Sequence, residues 1–177
     1  MSQNKDIEKL RYPIGRYIYP DDVSDQVISG WIDEIEDLPV QLNSVVNGLN
    51  ENQLNTPYRP GGWTARQVIH HIGDSHMNSL IRFKWALTED KPTIKPYEEQ
   101  LWAKLADYSM FPVKDSLDMI RLIHKRLTIL LRSLDQEQLN RGFIHPDMGV
   151  VQVKWNIGLY AWHGKHHVAH IRLVTGR

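Results

Sequence analysis

The amino-acid sequence predicts an all-α protein, a four-helix bundle. Two observations carry this. Four stretches, about 24–46, 64–88, 113–134 and 154–174, repeat apolar residues at helical spacing. The links between them are irregular, and only one short segment reads as anything like a strand. No repeat, low-complexity tract or domain boundary interrupts the chain, so a single domain over residues 1–177 is expected.

The elements follow in order. Residues 1–22 contain YPIGRYIYP, with Pro13, Gly15 and Pro20. Proline and glycine recur too often for a helix, so this stretch is expected as an extended arm packed on the domain. In the first long helix, Val27, Trp31, Ile35, Leu38, Leu42, Val45 and Val46 share helical spacing, and Asn47-Gly48 ends it. Pro39 lies inside that pattern and is expected to kink or split it. The second helix has the clearest start: Thr64 and Gln67 form a T-x-x-Q capping box directly after Gly61-Gly62-Trp63. KPTIKP ends it. Tyr97 to Asp107 reads as a short extra helix, and Pro112 opens the third long one. FIHPDMGVVQV is expected as a hairpin or irregular loop before the last helix.

Composition narrows the function. Basic and acidic residues number 21 each, and this zero net charge argues against a nucleic-acid binder. No apolar run approaches the ~18 residues of a membrane span. The first residues, MSQNKDIEKL, are polar and lack the apolar centre of a signal peptide. A cytoplasmic protein is expected. There is no cysteine, so a metal would be held by nitrogen and oxygen, and a thiol would have to come with the substrate.

The last helix carries four of the nine histidines, His163, His166, His167 and His170. At ~100° per residue, His163, His167 and His170 form one stripe. Imidazoles on an inward face are costly unless their nitrogens are satisfied. His163 and His167, one turn apart, can share a metal ion, although Gly164, Lys165 and His166 replace the glutamate of H-E-x-x-H. His71, centred on a polar strip of Gln67, Ser75, Asn78 and Arg82, supplies a third imidazole from another helix. Three neutral imidazoles and an open position are the pattern of a catalytic zinc site. The competing reading is a set of core histidines satisfied by carbonyls and hydroxyls. That reading is preferred for His124, set among leucines; His70 and His76 lie off the strip. Such a site should lose metal as pH drops below ~6.5.

These residues resemble the DinB-like superfamily. The resemblance lies in W63-T-A-R-Q-V-I-H70-H71-I-G-D74 and W162-H163-G-K-H166-H167-V-A-H170-I, and extends to YPIG near Tyr12, TPYRPGGWT at Thr56 and GLY-A-WH at Gly158. It is strongest to the YfiT-type branch, described as metal-dependent hydrolases and related to bacillithiol-type S-transferases. It implies a four-helix bundle, His71, His163 and His167 as metal ligands, one zinc or nickel-like divalent ion per subunit, and a homodimer. Many members place glutamine where His170 stands, so His170 is expected either to orient a ligand or to touch substrate.

Three functions stay open at this point. The first is a metal-dependent hydrolase acting on a small molecule, with Asp74 as the nearest base in sequence or as an orienting carboxylate. The second is an S-transferase joining a low-molecular-weight thiol to an electrophile. The third is a non-catalytic metal-binding or stress protein. Glu98, Glu99 and Asp147 are further acidic candidates without a place, and Asn78 and Arg82 are candidates for holding a polar substrate group.

Overall fold

The computed structural model describes the backbone of residues 2–176 and the side chains of residues 7–176. Four long helices form the frame: α2 (Asp25–Val46), α4 (Ala65–Thr88), α7 (Val113–Arg132) and α9 (Val153–Thr175). Short helices fill the links: α1 (Ser2–Arg11), α3 (Glu51–Leu54), α5 (Glu99–Trp102), α6 (Asp107–Met110) and α8 (Gln136–Asn140). The expected hairpin is present as β1 (Gly142–His145) and β2 (Gly149–Gln152), antiparallel, with Phe143 opposite Val151. Residues 92–94, in the link after α4, run alongside β1: the Ile94 N–H donates to the Ile144 carbonyl, and the Ile144 N–H donates to the Pro92 carbonyl.

α2 packs on α7 and α9, and α4 packs on the same two helices. Helices α2 and α4, consecutive among the long ones, therefore stand across a diagonal, as do α7 and α9. Two of the three long connections cross the bundle. Its interior is held by two apolar clusters. One joins Ile32, Phe83, Leu127 and Ile157; the other joins Leu42, Ile69, Ile120 and Val168.

Three expectations need correction. Residues Ser2–Arg11 are helical, not extended. SQNKDIEKLR contains neither proline nor glycine, and the breakers that predicted an arm begin only at Pro13. The non-helical part follows α1 and lies on α9: Tyr17 donates to the Trp155 carbonyl at 3.2 Å, and the Trp162 indole donates to the Gly15 carbonyl at 3.2 Å. Pro39 does not split α2, which runs through it unbroken. The single helix expected over 97–107 is two short ones, α5 and α6. Leu101 and Leu105, which predicted it, are exposed, while Ala103 and Tyr108 face inward.

Candidate metal centre

The local sequence sets the helices that bear His71, His163 and His167 in place. Thr64 caps α4 reciprocally: its hydroxyl accepts from the Gln67 N–H at 3.2 Å, and the Gln67 side chain accepts from the Thr64 N–H at 2.9 Å. The same Gln67 amide donates to the Ala103 carbonyl at 2.8 Å, tying the α5–α6 link to the start of α4. His71 follows in the second turn. α9 carries His163 and His167 on its inner face, with Gly164 between them. A Cβ at Gly164 would lie 2.7 Å from Leu38 Cδ2, so glycine lets α9 approach α2 closely at the height of the histidines.

His71, His163 and His167 converge. Each offers one nitrogen, and these atoms lie within 4.8 Å of one another. Nε2 of His71 is 3.4 Å from Nε2 of His163. His71 and His167 are buried and His163 is half-buried, its edge open to a cavity of ≈270 Å³. Arg59, Trp63, Glu99 and Trp162 also line that cavity. The three residues selected by spacing therefore could hold one ion with an open side.

Electrostatics favour neutral ligands. Burial is the main cause in each case, with neighbouring imidazoles adding to it. It pulls His71 down to about 3 and holds His163 and His167 well below the usual imidazole range. His166 is pulled to about 3 by burial and by His170. Neutral imidazole is the form that binds a metal. In the folded, metal-free protein burial thus moves the protonation that competes with a metal below the ordinary imidazole value of ~6.5.

The remaining histidines have distinct places. His170 is buried; its Nε2 lies 3.1 Å from the Arg11 carbonyl and its Nδ1 lies 3.3 Å from Nδ1 of His167. Tyr58 stacks on it at 3.9 Å between ring centres. His166 lines the cavity with its ring stacked on Trp162. His70 points elsewhere, to the Ser116 hydroxyl at 2.7 Å. His145 accepts from the Asp147 N–H in the hairpin turn. His76 and His124, placed off the site by sequence reasoning, form a buried run that ends on His163. A signal for that run was present in the sequence, since a proline within a helix leaves a carbonyl in need of a donor.

Asp74 is not brought to the cavity. Its carboxylate accepts from the Tyr108 hydroxyl at 2.6 Å, and it is not among the residues lining the cavity. Glu99 takes that position instead. Its surface is exposed, yet loss of surrounding water pushes its carboxyl above the ordinary value, with Arg82 acting in the opposite direction. Asn78 turns back to its own helix, donating to the Asp74 carbonyl at 2.9 Å.

Comparison with known proteins assigns the family. Residues 34–171 match the DinB superfamily. This chain belongs to the DinB superfamily. A relative from Bacillus cereus (strain AH820) is 56% identical over 168 residues, which cover 95% of this chain and 96% of that one. A Bacillus anthracis protein matches to the same extent, and both bear the name "putative metal-dependent hydrolase". Among solved structures, YfiT from Bacillus subtilis superposes with a TM-score of 0.92 at 45% identity, covering 96% of this chain and 97% of its own. It is described as a probable metal-dependent hydrolase with an unusual four-helix bundle topology. The two diagonal crossings of this DinB superfamily bundle agree with that description.

Proposed function

We propose that this protein is a metal-dependent hydrolase of small molecules, with one divalent ion held by His71, His163 and His167. The observation that carries the reading is the convergence of three neutral imidazoles, from two helices, on one point beside a solvent-open cavity. The names of the 56% identical relatives and of YfiT support the reaction class. Imidazole donors suit zinc, nickel, cobalt and iron alike; three of them with one open position is the arrangement of a catalytic zinc site, which makes zinc the first choice and nickel the alternative. Nε2 of His71 faces Nε2 of His163 and is the atom that would meet the ion, while its Nδ1 is buried and unpaired.

When bound, such an ion keeps its full charge and supplies Lewis acidity that makes water nucleophilic near neutral pH. The protein's own groups do the rest. Glu99, at the cavity mouth with a raised carboxyl pKa, is placed to accept a proton from water and return it to a leaving group. His170 accepts from the His167 Nδ1–H while donating to the Arg11 carbonyl, which orients His167. Trp63 and Trp162 wall the cavity and restrict it to a small substrate. We also infer a homodimer through the exposed α4 ridge of Met77, Ile81 and Trp85.

The test uses protein purified without an affinity metal. It is loaded with zinc and incubated with esters and amides, then with a chromogenic electrophile and assorted thiols. Zinc-dependent hydrolysis is expected. Turnover that requires a thiol, with no hydrolysis, would replace this reading with the S-transferase one. Light scattering of the same sample tests the dimer.

A further inference from the structure

Pro39 sits inside α2 and has no N–H for the carbonyl four residues back, that of Ile35. A buried carbonyl left without a donor is costly. The Ile35 oxygen is met from α7, by Nδ1 of His124 at 2.5 Å. A carbonyl only accepts, so His124 Nδ1 carries the hydrogen. A neutral imidazole has one N–H, so Nε2 of His124 is an acceptor. The atom facing it, at 2.9 Å, is Nδ1 of His76, which must therefore donate. Nε2 of His76 is then an acceptor in turn. It faces Nδ1 of His163 at 3.1 Å. Nδ1 of His163 thus carries the hydrogen, and its lone pair lies on Nε2, the nitrogen turned toward His71.

We propose that His76 and His124 are positioning residues, a relay of imidazoles that starts at the carbonyl freed by Pro39 and fixes His163 with its Nε2 lone pair aimed at the metal position. The proposal rests on the three-histidine metal reading above. An imidazole free of partners carries its proton on either ring nitrogen, and the hydrogen bond made by one nitrogen decides which is open to a metal. The relay makes that decision for His163 before any metal arrives. Both outer rings are buried. Stacking of His76 on His124, with ring centres 4.8 Å apart, holds the two in line. His71 differs: its Nδ1 is buried without a partner, and its Nε2 faces the His163 lone pair at 3.4 Å, so no outer partner holds a proton on its Nδ1.

The test begins with the metal-free, ¹⁵N-labelled protein near pH 7.5. Long-range proton–nitrogen correlation spectra distinguish the two tautomers of each histidine. Protons on Nδ1 of His124, His76 and His163 are expected, and a proton on Nε2 of His163 overturns the proposal. Zinc affinity then separates positioning from packing. His76→Leu removes the acceptor and is expected to weaken zinc binding about 10–100-fold. His76→Gln, whose amide oxygen can stand in for Nε2, is expected to recover most of that loss. Unchanged affinity in His76→Leu overturns the relay while leaving the metal site standing. Wild-type protein that shows the tautomer pattern but binds no zinc overturns the metal reading and the positioning role with it. The wild-type spectrum requires no variant to fold.

Discussion

Nε2 of His71 lies 3.4 Å from Nε2 of His163, although the two stand 92 residues apart, on α4 and α9. Two ring nitrogens at that distance share at most one proton. The arrangement is tolerable because both rings are neutral, and it becomes favourable when a cation lies between their lone pairs.

The base assignment separates two carboxylates. Glu99→Gln is expected to lower kcat on a hydrolysed substrate by about 10²–10⁴-fold, the usual contribution of a general base, with zinc content unchanged. Asp74→Asn, whose partner is Tyr108 outside the cavity, is expected to change kcat much less. Steady-state kinetics on both variants, with elemental analysis alongside, checks this. The reverse ranking would return the role to Asp74.

The cap on α4 is a stability element with a reach to the site. Thr64→Ala removes the acceptor for the Gln67 N–H and is expected to cost about 1 kcal/mol of unfolding free energy. Urea denaturation of the metal-free protein measures it. A change within error of zero would mean that Gln67, held also by Ala103, keeps α4 in place without the threonine.

Acid should unfold the metal-free protein rather than merely titrate it. His70, His124 and His170 are drawn by burial to about 4, and His71 and His166 to about 3, while the unfolded chain titrates near ~6.5. A folded pKa below the unfolded one gives stability that is present above pH ~6.5 and lost as pH falls toward 4. Each such ring contributes up to ~1.4 kcal/mol per pH unit within that window. Denaturation midpoints are therefore expected to fall steeply between pH 7 and pH 5. A midpoint constant over that range would show that the rings are already solvated in the native protein.

The same shifts bear on how much the sequence could reveal. The four long helices were legible because their apolar spacing is regular and because Thr64 and Gln67 mark a start chemically. His71, His163 and His167 were legible because i, i+4 spacing plus one more imidazole on a second helix is a recognisable donor set. His76 and His124 were not, because α4 packs against two neighbours at once and a residue off the polar strip can still be interior. Glu99 was one of several loose acids until the link after α4 was placed over the cavity. Asp74 was close in sequence, but its carboxylate goes to Tyr108. Helix α1 was hidden because the prolines and glycine downstream of it dominated the reading of the first 22 residues. The lowered pKa of His71, His163 and His167 depends on burial, which spacing alone does not report.

The central claim is one divalent ion on three histidines, and calorimetric titration of metal-free protein with zinc tests it most directly. One zinc per chain is expected, and the affinity should fall in each of His71→Ala, His163→Ala and His167→Ala by more than the roughly 10–100-fold that an outer partner contributes. His70→Ala, whose ring faces Ser116, should titrate like the wild type. No binding by the wild type, or equal affinity in all four variants, would contradict the site.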